Sequence, residues 1–226
     1  MTGKSISALI VAAGRGSRAG GPIPKQWQPL HGRTVLEHTI DRFTHHPKID
    51  HVLLVINPDD APLLAQTAAG QTPWVGGADT RAGSVRAGLQ ALAKMTPRPG
   101  YVLIHDGARA CTPAPVIDRV IAALQQSNAA APGLPVTDAL WRAQGGHVTG
   151  TQPREGLWRA QTPQGFELAS ILAAHDHPAA AKAADDVELA LAAGLEVTLV
   201  DGHEENIKIT HPEDFIRAER ILTSWM

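Results

Sequence analysis

Two cations stand on one glycine-rich loop: Arg18 and Lys25, within the stretch Ala8–Gln26, ALIVAAGRGSRAGGPIPKQ. Gly14, Gly16, Gly20 and Gly21 permit backbone conformations closed to residues with a Cβ, and Pro22 and Pro24 forbid an immediate regular helix. Backbone N–H groups bared by glycines form a concavity for anions, and fixed cations beside it add charge, so the natural ligand is a polyphosphate. Three further polar clusters could serve the same chemistry. Asp106, in the run His105-Asp106-Gly107-Ala108-Arg109, can hold Mg²⁺ together with water and phosphate oxygens, and Arg109 follows three residues later. Gly76–Ser84 offers close backbone approach at Gly76 and Gly77 with side-chain oxygens at Asp79 and Ser84, which suits a base or a ribose. Lys208, in Asn206-Ile-Lys208-Ile-Thr210, could face the upper edge of a sheet. Each cluster also has a plainer reading: an acid capping a turn and paired to a surface arginine, a glycine turn capped by Asp79 or Ser84, and a solvated lysine.

Other glycine-loop chemistries fit less well. Gly14, Gly16 and Ala19 match the dinucleotide pattern G-x-G-x-x-A, but prolines follow where a helix should start, and the next strand-like run, His51–Ile56, is followed by Asn57 where an acid is needed for the ribose. The frame G-x-x-x-x-G-K-[ST] of a P-loop does not occur.

The elements that must position these groups alternate along a chain of 226 residues, long enough for one α/β domain with a substantial core. Ala8–Val11 opens as an apolar run typical of a strand buried on both faces. Thr34 is placed to cap a helix carrying Leu36, Ile40 and Phe43, which ends near His45-His46. His51–Ile56 reads as a second strand, Pro58 starts a helix reaching Ala68, and Trp74-Val75 is a short strand. Ser84–Leu92 is a helix, Tyr101–His105 a strand, and Pro115–Leu124 a helix. This rhythm predicts a mostly parallel sheet flanked by helices, with ligands beyond the carboxyl ends of its strands. From Leu134 the rhythm breaks: Leu134–Arg142 and His147–Gln152 read as extended pieces joined at Gly145-Gly146, a hairpin that serves either as an arm onto another subunit or as a local flap. A strand near Leu157–Gln161, a helix from Phe166, a helix at Asp186–Ala193, a strand at Glu196–Val200 and a helix from Pro212 complete the chain.

Composition narrows the class. The net charge is −2 with acids and bases mixed, which gives no reason to expect nucleic acid or a membrane as partner. Cys111 is the single cysteine, so no internal disulfide can form, in keeping with a cytoplasmic protein. The eleven histidines show no zinc spacing, and no apolar run has the length of a membrane span.

With these motifs in order, AAGRGSR with PKQ at 12–26, LEHTI at 36–40, GGADTRAGSV at 76–85, HDGARAC at 105–111, PVTD at 135–138, GLWRAQTPQGF at 156–166, and NIKIT with PED at 206–214, the chain resembles the 2-C-methyl-D-erythritol 4-phosphate cytidylyltransferase family. The resemblance implies a single Rossmann-like domain over 1–226 with an inserted β-arm at 134–154, a homodimer built through that arm, and transfer of CMP from CTP to the sugar-alcohol phosphate. It also implies roles. Arg18 and Lys25 would stabilise the charge of the transfer; backbone at Ala12, Ala13, Gly14 and Gly16 would cradle the nucleotide, with Gly77, Asp79 and Ser84 around cytosine and ribose. Asp106, Arg109, Thr162 and Lys208 would hold the acceptor, and Arg154 would reach it from the partner's arm. Mg²⁺ would be held mostly by the triphosphate, with Asp106 beside it. The nearest rival activity is ribitol 5-phosphate cytidylyltransfer, and a rival of another class is a non-catalytic nucleotide-binding module. The sequence departs from the family pattern at the arm, where Ala139 replaces a threonine and Arg142 could substitute only if the strand bulges, and again at Ala184.

Overall fold

The computed structural model describes residues 4–15, 23–177 and 183–225. Arg18, Gly16, Gly20, Gly21 and Pro22 of the glycine loop lie outside the described residues, as does most of the Ala-rich stretch after Pro178.

The chain opens with β1 (Ile6–Ala12), a short 3-10 turn at Lys25–Trp27, and the ribbon β2 (Pro29–Leu30) and β3 (Arg33–Thr34). Then follow α1 (Val35–Thr44), β4 (His51–Ile56), α2 (Ala61–Ala65), β5 (Trp74–Gly76), α3 (Arg81–Ala93), β6 (Tyr101–Asp106), α4 (Ala114–Leu124) and β7 (Ala129–Pro135). The hairpin β8 (Leu140–Gln144) and β9 (His147–Gln152) precedes β10 (Trp158–Ala160), β11 (Gln164–Glu167), α5 (Leu168–Ala174), α6 (Asp186–Ala192), β12 (Thr198–Asp201) and α7 (Pro212–Ser224).

An eight-stranded sheet runs β10-β7-β11-β6-β1-β4-β5, with β12 added beside β7. Strands β5, β4, β1 and β6 are mutually parallel, while β11 runs antiparallel between β6 and β7. The period-two alternation of each buried strand divides its side chains between two cores. Ile6, Ala8 and Ile10 of β1, Leu54 and Ile56 of β4, and Leu103 of β6 pack with Leu36, Ile40 and Phe43 of α1 and Ile117 and Val120 of α4. Leu9, Leu53, Val55, Val102 and Ile104 point the other way, toward Val85, Leu89 and Leu92 of α3 and Ile171 of α5. A strand with an apolar side chain at every position is therefore the signature of a middle layer. Strand order reverses across β1, whose neighbours are β4 on one side and β6 on the other, so a crevice opens beyond their carboxyl ends.

Several boundaries differ from the sequence reading, each for a local reason. Thr34 caps α1 as expected, in a reciprocal box with Glu37. The helix after Pro58 stops at Ala65 rather than Ala68, because Glu37 Oε1 accepts the Ala68 N–H at 3.0 Å and Thr67 folds its hydroxyl onto the Leu64 carbonyl. The cap of α3 is Thr80, not Asp79 or Ser84; its hydroxyl accepts the Gly83 N–H. Phe166 belongs to β11, with the helix starting two residues later. The strand Ala129–Pro135 carries no β-forming sequence, yet pairing with β10, β11 and β12 holds it extended. The piece expected over Leu134–Arg142 is consequently two pieces, the end of β7 and the start of the hairpin.

Candidate active site

The carboxyl ends of β1, β4, β5 and β6 open into a cleft of about 600 Å³. Its walls are built by close backbone approach. The Gly77 N–H donates to the Ile56 carbonyl at 2.8 Å, and a Cβ at Gly77 would lie 2.3 Å from Ala13 Cβ, so only glycine fits there. On the other side the Gly107 N–H donates to Val11 at 2.9 Å, and a Cβ would meet Ala12 Cβ at 2.8 Å. These two contacts bring the β5–α3 loop and the β6 exit against the start of the glycine loop. Gln26, buried, donates through Nε2 to the Ala12 and Gly14 carbonyls at 2.7 and 2.9 Å and so shapes that start.

Of the residues singled out in the sequence, Ala12, Ala13, Gly14, Lys25, Gly77, Asp79, Ser84, Asp106 and Lys208 line this one cleft. Lys25 reaches across to donate to the Ile209 carbonyl at 2.5 Å, which ties the loop to the segment carrying Lys208. Ser84 turns its hydroxyl onto the Ala78 backbone, receiving its N–H at 3.0 Å and donating to its carbonyl at 3.1 Å; it fixes the loop that presents Gly77 and Asp79.

Asp106 is the electrostatic centre. Lys208 Nζ lies 2.9 Å from its Oδ2, Arg109 Nε 3.4 Å from the same oxygen, and Arg81 Nε 3.9 Å from Oδ1. Burial alone would push its carboxyl up, but Lys208, Arg109 and Arg81 together hold it well below the usual carboxylate range, so it is an anion at any working pH. Lys208 is a paired lysine of the site rather than a freely solvated one.

Arg109 stands behind Asp106 rather than on the open cleft wall. Buried itself, it donates to the Asn206 carbonyl at 2.6 Å. Thr162 is likewise buried, its hydroxyl accepting the Asp106 N–H at 3.1 Å and bonding His105 Nδ1 at 2.9 Å. Burial pushes the His105 imidazole down to about 3, so it is a neutral partner, shared between Thr162 and Thr112. Asn206 closes this layer by donating to the Thr162 carbonyl at 2.8 Å and accepting from Thr112 at 2.9 Å. The layer orients Asp106 and the Lys208 segment from beneath.

Arg154 is exposed on the return from the arm and donates to the Thr137 carbonyl within its own chain, away from the cleft. Ala139 sits in the short connection before β8. The arm does bulge, with its register shifting between Arg142 and Ala143, and Arg142 donates to Gln152 at 2.7 Å across the hairpin.

Arg81 is the site residue that sequence reasoning passed over. It lines the cleft, stands near Asp106, and makes a 2.8 Å ion pair with buried Asp186 of α6. A signal existed: an arginine in the first turn of a helix with no acid beside it opposes the helix dipole and calls for another reason. Arg15 also lines the cleft, but it is engaged by Asp59 and Asp60 at 3.1 and 2.8 Å.

Among the described residues no group of three or more His, Cys, Asp or Glu side chains could hold a metal ion by itself. Asp106 Oδ1 is the carboxylate oxygen less occupied by cations, which suits a single protein contact to a metal carried in by a polyphosphate. Among the described residues no helix is long and apolar enough to cross a membrane.

Residues 6–224 match the family model for 2-C-methyl-D-erythritol 4-phosphate cytidylyltransferase. A protein of that name from Cereibacter sphaeroides strain KD131 is 54% identical over 222 residues, covering 96% of this chain and 97% of the relative. A bifunctional enzyme IspD/IspF from Paracoccus denitrificans is 54% identical over 96% of this chain, which spans 56% of that longer protein. Among solved structures, a 4-diphosphocytidyl-2C-methyl-D-erythritol synthase superposes with a TM-score of 0.84 at 31% identity, covering 97% of this chain and 99% of the other. The 2-C-methyl-D-erythritol 4-phosphate cytidylyltransferase of Thermus thermophilus gives 0.78 at 33%, covering 95% and 98%.

Proposed function

The chain belongs to the 2-C-methyl-D-erythritol 4-phosphate cytidylyltransferase family, and from that premise we propose how its cleft carries the family reaction. The protein is a nucleotidyltransferase that moves CMP from CTP to 2-C-methyl-D-erythritol 4-phosphate, giving 4-diphosphocytidyl-2-C-methyl-D-erythritol and pyrophosphate, in the non-mevalonate isoprenoid pathway. An oxygen of the acceptor phosphate forms a bond to the α-phosphorus of CTP as the bond from that phosphorus to the α–β bridging oxygen breaks, and the electron pair leaves with pyrophosphate. Both reactants are anions, so catalysis requires cations and alignment more than a protein nucleophile.

In this reading the backbone of Ala12, Ala13, Gly14 and Gly16 cradles the nucleotide, and Gly77, Asp79 and Ser84 bound cytosine and ribose. Lys25 and Arg18 meet the charge that grows on the transferred phosphorus and the leaving oxygen. Asp106 and Lys208 align the acceptor, with Arg109 and Thr162 fixing Asp106 from behind, and Arg154 arrives from a second copy. Asp106 would hold Mg²⁺ together with the triphosphate, and the ion would supply neutralisation of phosphate charge.

The arm at 134–154 serves, in the same reading, to build a homodimer. Trp141 and Val148 on it are 66% and 59% exposed, apolar surface on a ribbon whose two strands pair only with each other among the described residues. A cytoplasmic location accords with the lone, buried Cys111.

The observation that carries the proposal is the cleft in which Asp106, ringed by cations, shares the carboxyl ends of β1 and β6 with Gly14, Lys25 and Gly77. Pyrophosphate release from CTP, measured with methylerythritol phosphate and ribitol phosphate in competition, tests it. Preference for the branched acceptor is expected; preference for ribitol phosphate, or no release with either, would overturn it.

A further inference from the structure

Arg81 sits between two carboxylates that belong to different parts of the fold. Its guanidinium contacts Asp186 Oδ2 at 2.8 Å and stands 3.9 Å from Asp106 Oδ1. Asp186 is buried at the start of α6, and its other oxygen lies 3.5 Å from Nε2 of His175, a buried imidazole whose ring nitrogens make no hydrogen bond among the described residues. Arg81 itself opens α3, where a cation opposes the helix dipole, and its side chain is 28% exposed, toward the cleft. A buried ion pair is weak evidence for stability, because desolvation offsets most of its attraction. Both costs point to a positional role.

On the reading above, we infer that Arg81 is a positioning residue for the acceptor half of the site. The tether to Asp186 holds the guanidinium at a distance from Asp106 Oδ1, close enough to orient that oxygen and too far to close on it. Lys208 and Arg109 occupy Oδ2, so Oδ1 is the oxygen left to meet an acceptor hydroxyl or a metal. Removing Arg81 lets Asp106 swing. Removing the charge of Asp186 lets Arg81 close on Oδ1 and withhold it. Both changes act through the same oxygen, and the close approach of Gly77 to Ala13 is made without either side chain. Lysine cannot replace this arginine: a single ammonium lacks the planar fork that serves two carboxylates at once.

The test uses Arg81→Gln, Arg81→Lys, Asp186→Asn and the double variant Arg81→Gln/Asp186→Asn, with initial rates over both substrates and thermal midpoints for each protein. Expected are rises of about tenfold in acceptor KM for each single variant, the scale of a lost contact to a charged group, and a smaller rise in CTP KM, because the triphosphate itself would hold most of any metal at Asp106. The double variant is expected to be no worse than the worse single one, because the two residues act on one oxygen. If acceptor KM is unchanged in Arg81→Gln and in Asp186→Asn, the inference is overturned. So it is if CTP KM rises equally, or if the effects simply add and follow the fall in thermal midpoint, which would make the pair structural. Absence of turnover in the unaltered chain would overturn the functional reading, and this inference with it.

Discussion

At the scale of single residues the cleft gathers cations, and in the reading proposed above their value should appear in the transition state. Lys25 donates to the Ile209 carbonyl and faces the cleft, while Arg18 comes from the same glycine loop in sequence. Lys25→Ala and Arg18→Ala should each lower kcat by two orders of magnitude or more, about 3 kcal/mol, with a smaller effect on CTP binding measured by titration calorimetry. Near-normal kcat in either variant would take that residue out of the chemistry. Cys111 shows the opposite case, a reactive atom type made inert. It is fully buried, burial pushes its thiol up to about 12, and its Sγ lies 3.6 Å from the Ala218 carbonyl. A thiol reagent at neutral pH should leave the native protein unmodified and label one site once urea is added; rapid labelling of the folded chain would contradict this.

At the scale of elements, α1 carries two adjacent groups whose protonation the fold resists. Burial pushes Glu37 up, but hydrogen bonds from the Thr34 backbone and hydroxyl and from the Ala68 N–H outweigh it, and its carboxyl sits below its ordinary value of 4.5. Burial pushes His38 below its ordinary 6.5, against the opposing effect of the Leu30 carbonyl it bonds at 2.8 Å. For both groups the unfolded chain binds protons more readily than the folded one. The stability from neutral His38 is whole above about pH 6.5 and declines as pH falls below it, and that from ionised Glu37 is lost further down, below about 4.5. Urea midpoints between pH 7.5 and 4 should therefore fall with acid. His38→Gln, which can still donate to Leu30, should flatten the upper part of that fall and leave the lower part. An unchanged profile in the variant would assign the upper part elsewhere, His46, also pushed down by burial, being the first place to look.

At the scale of the whole molecule the arm decides whether the site belongs to one chain or two. Arg154 lies away from the cleft of its own chain, at the foot of a hairpin with exposed Trp141 and Val148. If it completes a neighbour's site, mixing inactive Arg154→Ala with inactive Lys25→Ala chains should restore activity, because one site of each heterodimer keeps both residues. No recovery after verified subunit exchange would return Arg154 to its own chain. The sequence by itself determined the alternating elements, since strands buried on both faces must be apolar at every position and the helices between them must carry a stripe at 3.6-residue spacing. It also singled out Lys25, Gly77, Asp79, Asp106 and Lys208, which the fold gathers in one cleft at the carboxyl edge of the sheet. Only the tertiary structure decided the rest. Ala129–Pro135 became a strand because its neighbours in space supply its hydrogen bonds, against its own weak propensity. Thr162 and Arg109 turned inward to support Asp106, and Arg81 found Asp186, a residue far along the chain. Such contacts leave no periodic trace, because the partners of a buried charge are chosen by where the backbone brings them and not by their spacing in the sequence.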